Sequence, residues 1–219
     1  MHSQVLTERT KNTLALLVAS KILPVRAYLA GGTAIALHLG HRISLDLDFF
    51  TPQQFQTEEV LESLKKIQKF KLSKTDWGTI LGDFPSVKFS LFYYQYPLIE
   101  KTVNYQGIAV AGLKDLITSK IGAISSRGTK RDFIDLYYIL KENSARSHLL
   151  KSGRVNSLED CLAYYNQRFQ NLAGQKVHIL KSLTYFEDAN KEEDPNMLVS
   201  DYSWGEVKKF LISEVEKLI

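Results

Sequence analysis

Asp46 and Asp48 stand two residues apart in Leu45-Asp46-Leu47-Asp48-Phe49-Phe50, a run whose apolar–acidic alternation predicts a strand. In a strand, residues i and i+2 share a face, so the two carboxylates lie on one side and Leu45, Leu47 and Phe49 on the other. Like charges about 7 Å apart on one strand face repel, and a cation between them relieves that cost. Mg²⁺ suits the arrangement, because it is a hard ion held by one or two carboxylates while substrate phosphates complete its shell. Mn²⁺ fills the same role.

Upstream lies a second element of matching chemistry, Gly31-Gly32-Thr33, which breaks off the apolar run Ala27-Tyr28-Leu29-Ala30. Glycine lets backbone N–H groups come close to a phosphate, and a helix beginning at Thr33 would add unpaired N–H donors. Each motif alone has an ordinary reading: a GG pair makes a turn, and an alternating acidic strand is a solvated face. Together they describe a nucleoside triphosphate (NTP) site, with phosphates at Gly31, Gly32 and Thr33 and a metal on Asp46 and Asp48.

A third group follows at Lys114-Asp115, Lys120 and Arg127-Gly128-Thr129-Lys130-Arg131-Asp132-Phe133-Ile134-Asp135. On a helix, Lys120 and Arg127 share one face and Asp132 and Asp135 are i, i+3 neighbours. The cations could neutralise phosphate charge during transfer, although a surface helix of mixed charge explains the same pattern. Arg42 is expected beside the acidic pair, either neutralising those carboxylates or touching phosphate.

The elements that must hold these residues can be read along the chain. A helix is expected over residues 3–22, ended by Pro24, then a strand over Val25–Ala30, a short helix to about Gly40, and the acidic strand. Thr57 to about Phe70 reads as a helix with Thr57 as N-cap. Its tail, Lys65 to Lys71, is basic: a solvated face, or a patch facing RNA. Strand patterns cover 72–77, 79–84, 87–94 and 108–110, and Asn104 to Gly107 reads as a turn. Helices follow over 113–126, 131–141, 157–169, 175–183 and 203–218, with a loop at 188–196. A mixed α/β half, residues 1–111, thus precedes a mainly helical half, residues 112–219.

Composition narrows the function. The chain has 219 residues, 44% hydrophobic and 24% charged, with a formal net charge of +4, which is ordinary for a globular protein and mildly basic. The single cysteine, Cys161, rules out an intrachain disulfide framework. The five histidines show no zinc-hydrolase spacing. No run approaches the length of a membrane span and there is no leader pattern, so a cytoplasmic location is expected. Most of the eleven tyrosines and eleven phenylalanines read as core or interface rather than as base-stacking platforms.

The two motifs, in order and spacing, carry a resemblance. The stretches LAGGTAIALHLGHRISLDLDFF and KDLITSKIGAISSRGTKRDFIDLYYIL resemble the AbiEii/AbiGii family of toxin-type nucleotidyltransferases, the wider group that includes the mycobacterial MenT enzymes. VKFSLFYYQYPLI, SLTYFEDA and SWGEVKKFL look like one branch of it. The resemblance implies an α+β protein, a minimal nucleotidyltransferase fold with a mixed sheet and flanking helices followed by a helical lobe that closes over Mg-NTP. It implies that Gly32 and Thr33 contact triphosphate, that Asp46 and Asp48 bind metal, and that Lys120 contacts phosphate. Asp135 would be a base or positioning group, with Asp132 the alternative, and Arg127 and Arg131 would meet phosphate or an RNA backbone. The implied reaction moves NMP from NTP to an acceptor, tRNA or other RNA or a protein, in a toxin–antitoxin or phage-defence system with a cognate antitoxin. Kinase-like phosphotransfer and a non-catalytic NTP-binding module are the competing readings. The second of these is suggested by the strand over 87–94, which carries Lys88 and Ser90 where many nucleotidyltransferases place a third carboxylate.

Overall fold

The computed structural model describes residues 1–67, 69–146, 157–170 and 173–219. Seven strands form one mixed sheet: β1 (Tyr28–Ala30), β2 (Leu47–Thr51), β3 (Lys71–Asp76), β4 (Thr79–Phe84), β5 (Val87–Tyr93), β6 (Val103–Tyr105) and β7 (Ile108–Val110). Their order across the sheet is β3-β4-β5-β2-β1-β7-β6. The acidic strand β2 sits at the centre, antiparallel to β1 and parallel to β5.

Burial alternates along the central strands, which gives the sheet two distinct faces. Leu47 and Phe49 of β2, Val87, Phe89 and Leu91 of β5, and Ile80 and Phe84 of β4 are buried on one face. There they meet helices α1 (Glu8–Ser20) and α3 (Thr57–Lys65). The opposite face carries two cross-strand rungs. One runs Leu81–Ser90–Asp48–Ala30, the other Thr79–Phe92–Phe50–Tyr28.

The remaining helices are α2 (Gly31–Leu39), α4 (Leu113–Ser126), α5 (Lys130–Arg146), α6 (Leu158–Phe169), α7 (Lys176–Leu183) and α8 (Trp204–Glu216). One hydrophobic core runs through both halves of the chain, from Leu29, Ile35 and Leu37 to Ile117, Ile121, Phe133 and Leu136. A strap from the C-terminal half reinforces it: Ile43 N–H donates to the Asn196 carbonyl at 2.9 Å and Leu198 N–H to the His41 carbonyl at 2.8 Å. Residues 1–111 and 112–219 therefore differ in secondary structure but share a core.

Several elements depart from the sequence expectation. The first helix starts at Glu8, capped by the Thr7 side chain, and β1 starts only at Tyr28. Leu45 lies before β2 and is 43% exposed, so the shared apolar face begins at Leu47. Thr57 is not the N-cap of α3; Gln56 is, and the Thr57 hydroxyl accepts a hydrogen bond from Gly78 N–H. That helix stops at Lys65 rather than near Phe70, and Gln68 in its basic tail lies outside the described residues. Val103–Tyr105 pairs with β7 as a strand of its own, so Asn104 stands inside the hairpin rather than in its turn.

Candidate active site

The site face of the sheet, the start of α2 and helices α4 and α6 enclose a cavity of about 990 Å³. Four of the residues singled out by the sequence line it: Gly31, Asp48, Lys120 and Arg127. Asp48 enters from the centre of the sheet, and Lys120 and Arg127 from α4 opposite.

Gly31 explains how Asp48 reaches that position. It has φ +64°, and a Cβ placed on it would stand 2.5 Å from Asp48 Oδ2. Glycine is needed twice over, for the left-handed backbone and for the close approach of a carboxylate. α2 begins at Gly31 itself, earlier than Thr33, and its N-cap Ala30 offers no side-chain hydrogen bond. Its N-cap thus supplies no side-chain acceptor to the first N–H groups, which suits an anion. Gly31→Ala is expected to lower transfer activity by at least about 10²-fold by displacing Asp48, with a stability loss of about 1–2 kcal/mol. Thermal melting together with turnover measures both.

Asp48 is unusual among the acidic residues here. Burial pushes its carboxyl above the ordinary range, a hydrogen bond with Ser90 opposes that shift, and the neighbouring Asp46 adds to it. Among the described residues no ion pair reaches Asp48. Asp46 lies just before β2, half-exposed, with Arg131 Nη1 at 3.9 Å from its Oδ2. A hard divalent cation fits this donor set, since it relieves the repulsion and adds positive charge beside a half-buried carboxylate that has no ion-pair partner among the described residues. Among the described residues no three His, Cys, Asp or Glu side chains gather as a metal cluster, so a metal here takes its other ligands from substrate or water.

Thr33, Gly32, Asp132 and Asp135 were expected at the nucleotide, but their side-chain positions lie behind the cavity wall. Thr33 is 1% exposed, and its hydroxyl is hydrogen-bonded to Ser44 Oγ at 2.8 Å and to the Asp46 carbonyl, so it pins the approach to β2. A Cβ on Gly32 would meet Arg42 Nη2 at 2.2 Å, so this glycine makes room for a guanidinium.

That guanidinium belongs to a buried ionic cluster the sequence did not reveal. Arg42, expected beside Asp46 and Asp48, does feel the charge of Asp46 but binds Asp135, through Nε at 2.8 Å and Nη2 at 2.9 Å. His41 Nε2 lies 2.8 Å from the same carboxylate. Lys120 Nζ bridges Asp132 and Asp135, at 2.8 Å from each. Arg127 donates to Asp132 through Nε (3.0 Å) and Nη2 (3.3 Å), and the Thr129 hydroxyl donates to it at 2.7 Å.

Burial alone would raise both acids. For Asp135 the charges of Arg42 and Lys120, with the hydrogen bond from His41, override it and hold the carboxyl well below its usual range. For Asp132 the charge of Lys120 and the hydrogen bonds from Arg127 and Lys120 bring it down to about 2. A carboxylate so strongly held is a poor proton acceptor at neutral pH. Asp135 and Asp132 thus hold the charged ends of Arg42, Lys120 and Arg127 in place.

Sequence reasoning also missed the aromatic side of the cavity. Phe50, Phe92, Tyr94, Tyr96, Tyr165 and Phe169 line it with Arg168. The only prior signal was the alternation that put Phe50 on the Asp48 face and Phe92 on the Ser90 face.

Comparisons with known proteins agree with this geometry. Residues 16–106 match the family model described as nucleotidyl transferase AbiEii toxin, type IV toxin–antitoxin system. An uncharacterised protein of Aquifex aeolicus (strain VF5) is 33% identical over 198 residues, covering 88% of this chain and 87% of that one. Among solved structures, JHP933 from Helicobacter pylori superposes with a TM-score of 0.54 at 17% identity, over 97% of this chain and 93% of that one. A putative nucleotidyltransferase from the same organism gives a TM-score of 0.55 at 16% identity, over 97% and 95%. The mixed sheet with flanking helices is thus a nucleotidyltransferase fold, and the chain belongs to the AbiEii family of nucleotidyltransferase toxins.

Proposed function

We propose that this chain transfers NMP from an NTP to a hydroxyl of an RNA, with tRNA as the favoured acceptor, as the toxin of a toxin–antitoxin pair. The observation that carries the reading is Asp48: a half-buried carboxylate with no ion-pair partner among the described residues, pressed against Gly31 and facing Lys120 and Arg127 across the cavity. The acceptor class is supported by the net charge of +4 and by the family's description as a toxin.

In the proposed reaction the acceptor hydroxyl gives up its proton to solvent and its oxygen bonds to the α-phosphorus as the bond from that phosphorus to the bridging oxygen breaks, and pyrophosphate leaves. Asp46 and Asp48 would hold Mg²⁺ or Mn²⁺, which stabilises charge on the attacking and leaving oxygens. The start of α2, at Gly31 to Thr33, receives phosphate oxygens through backbone N–H groups. Lys120 and Arg127 offset charge on the triphosphate, kept in place by Asp132 and Asp135. Arg131, exposed beside Asp46, would meet phosphate or the acceptor backbone. Residues 1–111 supply the nucleotide floor and 112–219 its cover. A cognate antitoxin is the expected protein partner. No described helix is long and apolar enough to cross a membrane, and a cytoplasmic site of action fits this reading.

The test is to incubate the protein with Mg²⁺, tRNA or protein extract, and each NTP labelled at the α- or the γ-phosphate. Label retained from the α-position supports nucleotidyl transfer, whereas γ-label alone means kinase-like chemistry. Ser90, which stands in register with Asp48 and hydrogen-bonds to it where a third carboxylate could sit, favours one second reading: a binding module. NTP binding without movement of either label would establish it.

A further inference from the structure

Five half-buried rings, Phe50, Phe92, Tyr94, Tyr96 and Phe169, form a wall of the cavity that also holds Asp48 and Lys120. They touch one another edge-on or tilted: Phe50–Phe92 centroids are 5.2 Å apart, Phe50–Tyr94 5.5 Å, Tyr94–Tyr96 5.0 Å and Tyr96–Phe169 4.9 Å. Phe50 and Phe169 also pack against the core, but all five rings keep surface open to the cleft. We propose that this wall is the nucleobase subsite of the NTP, with Tyr94 as its principal platform and Arg168 as the residue that positions it.

Three observations support the placement. First, the aromatic rung and the Asp48–Ser90 rung are successive i, i+2 steps on one sheet face, about 7 Å apart. That is roughly the span of the ribose between an α-phosphate and its base. Second, the cavity is continuous, so a ligand with phosphates at Asp48 and Lys120 extends to the rings.

Third, Arg168 is buried and ties the rings to the phosphate side. Its Nη1 donates to the Asp115 carbonyl at 2.7 Å, Thr118 Oγ1 at 2.9 Å and Ser119 Oγ at 3.1 Å, all on α4 and ending one residue before Lys120. Its Nη2 lies 3.4 Å from the Tyr28 hydroxyl. Its guanidinium lies 5.5 Å from the Tyr94 ring and 5.4 Å from the Phe169 ring, close enough for cation–π attraction. Its Nε has no hydrogen-bond partner among the described residues.

Stacking reads the face of a base rather than its edge, so it tolerates all four bases. Purine and pyrimidine triphosphates should both bind through this wall. The inference rests on the phosphate-end assignment above, and the experiment separates the two. Non-hydrolysable ATP and UTP analogues and inorganic tripolyphosphate are titrated, with Mg²⁺, into wild type, Tyr94→Ala, Tyr94→Phe and Arg168→Lys.

Expected is binding of both analogues at least about tenfold tighter than tripolyphosphate, a loss of about tenfold or more in Tyr94→Ala, and recovery in Tyr94→Phe. Tripolyphosphate affinity should stay unchanged in Tyr94→Ala and Tyr94→Phe. In turnover, Arg168→Lys should raise the NTP KM more than it lowers kcat. If tripolyphosphate fails to bind wild type, the phosphate-end reading falls, while an analogue loss confined to Tyr94→Ala still supports the wall. Analogues no tighter than tripolyphosphate, or a Tyr94→Ala defect seen only in acceptor KM, would overturn the proposal. The latter result would hand the wall to the acceptor.

Discussion

Asp48→Asn is expected to abolish nucleotidyl transfer, by at least about 10³-fold, while leaving the protein as stable as wild type or slightly more so. The activity loss follows from the proposed reaction, in which this charge would hold the metal that stabilises the leaving oxygens, worth several kcal/mol of barrier. The stability result has the opposite sign from most buried polar substitutions. Asp48 is held above its ordinary pKa chiefly by burial, so in the metal-free protein its ionised form costs folding energy, and an isosteric neutral amide removes that cost. The linkage sign is consistent: the folded state holds the Asp48 proton more tightly than the unfolded state. Without metal, stability therefore rises as pH falls through the folded pKa. Differential scanning fluorimetry in EDTA and label transfer in Mg²⁺ read the two effects, and a melting temperature several degrees below wild type would contradict the account.

Asp135→Asn should do the reverse to the fold. This carboxylate is fully buried and answers Arg42, Lys120 and His41 at once. Removing its charge leaves two buried cations short of an anion, a change that costs about 3–5 kcal/mol. For a chain of this length that lowers the melting temperature by roughly 10 °C. Activity should fall as well, because Lys120 loses one of the two carboxylates that aim it.

The pH dependence carries the opposite sign from that of Asp48. Asp132, brought down to about 2, and Asp135, well below its usual range, bind protons more readily unfolded than folded. Their stabilisation is fully present above the unfolded carboxylate pKa of about 4 and is lost as pH falls toward about 2. Chemical denaturation between pH 5 and pH 2 should show a steep loss in wild type and a shallower one in Asp132→Asn. Equal slopes would remove the cluster from the stability account.

What the sequence made legible was local. The i, i+2 spacing of Asp46 and Asp48, the glycine corner at Gly31, and the one-turn relation of Asp132 and Asp135 each lie within a few residues, so periodicity reports them directly. The partners of those residues come from far along the chain. Arg42 meets Asp135 across 93 positions and Arg168 meets Tyr28 across 140, and no pattern in a single sequence reports such pairings. Gly32 and Thr33 looked like phosphate ligands because they sit in the right corner. Their side-chain positions instead face inward, to Arg42 and Asp46, a distinction set by tertiary packing. The aromatic wall was hidden for a different reason: its rings come from β2, β5, the loop after β5 and α6, and each segment alone reads as ordinary core.

The central claim, a divalent metal carried by Asp46 and Asp48 beneath a triphosphate, is tested most directly by anomalous diffraction from crystals grown with Mn²⁺ and a non-hydrolysable NTP. The account predicts one or two manganese peaks within about 2.0–2.4 Å of oxygens from both carboxylates and from the phosphates. Nucleotide bound with manganese elsewhere, or with none on Asp48, would contradict it.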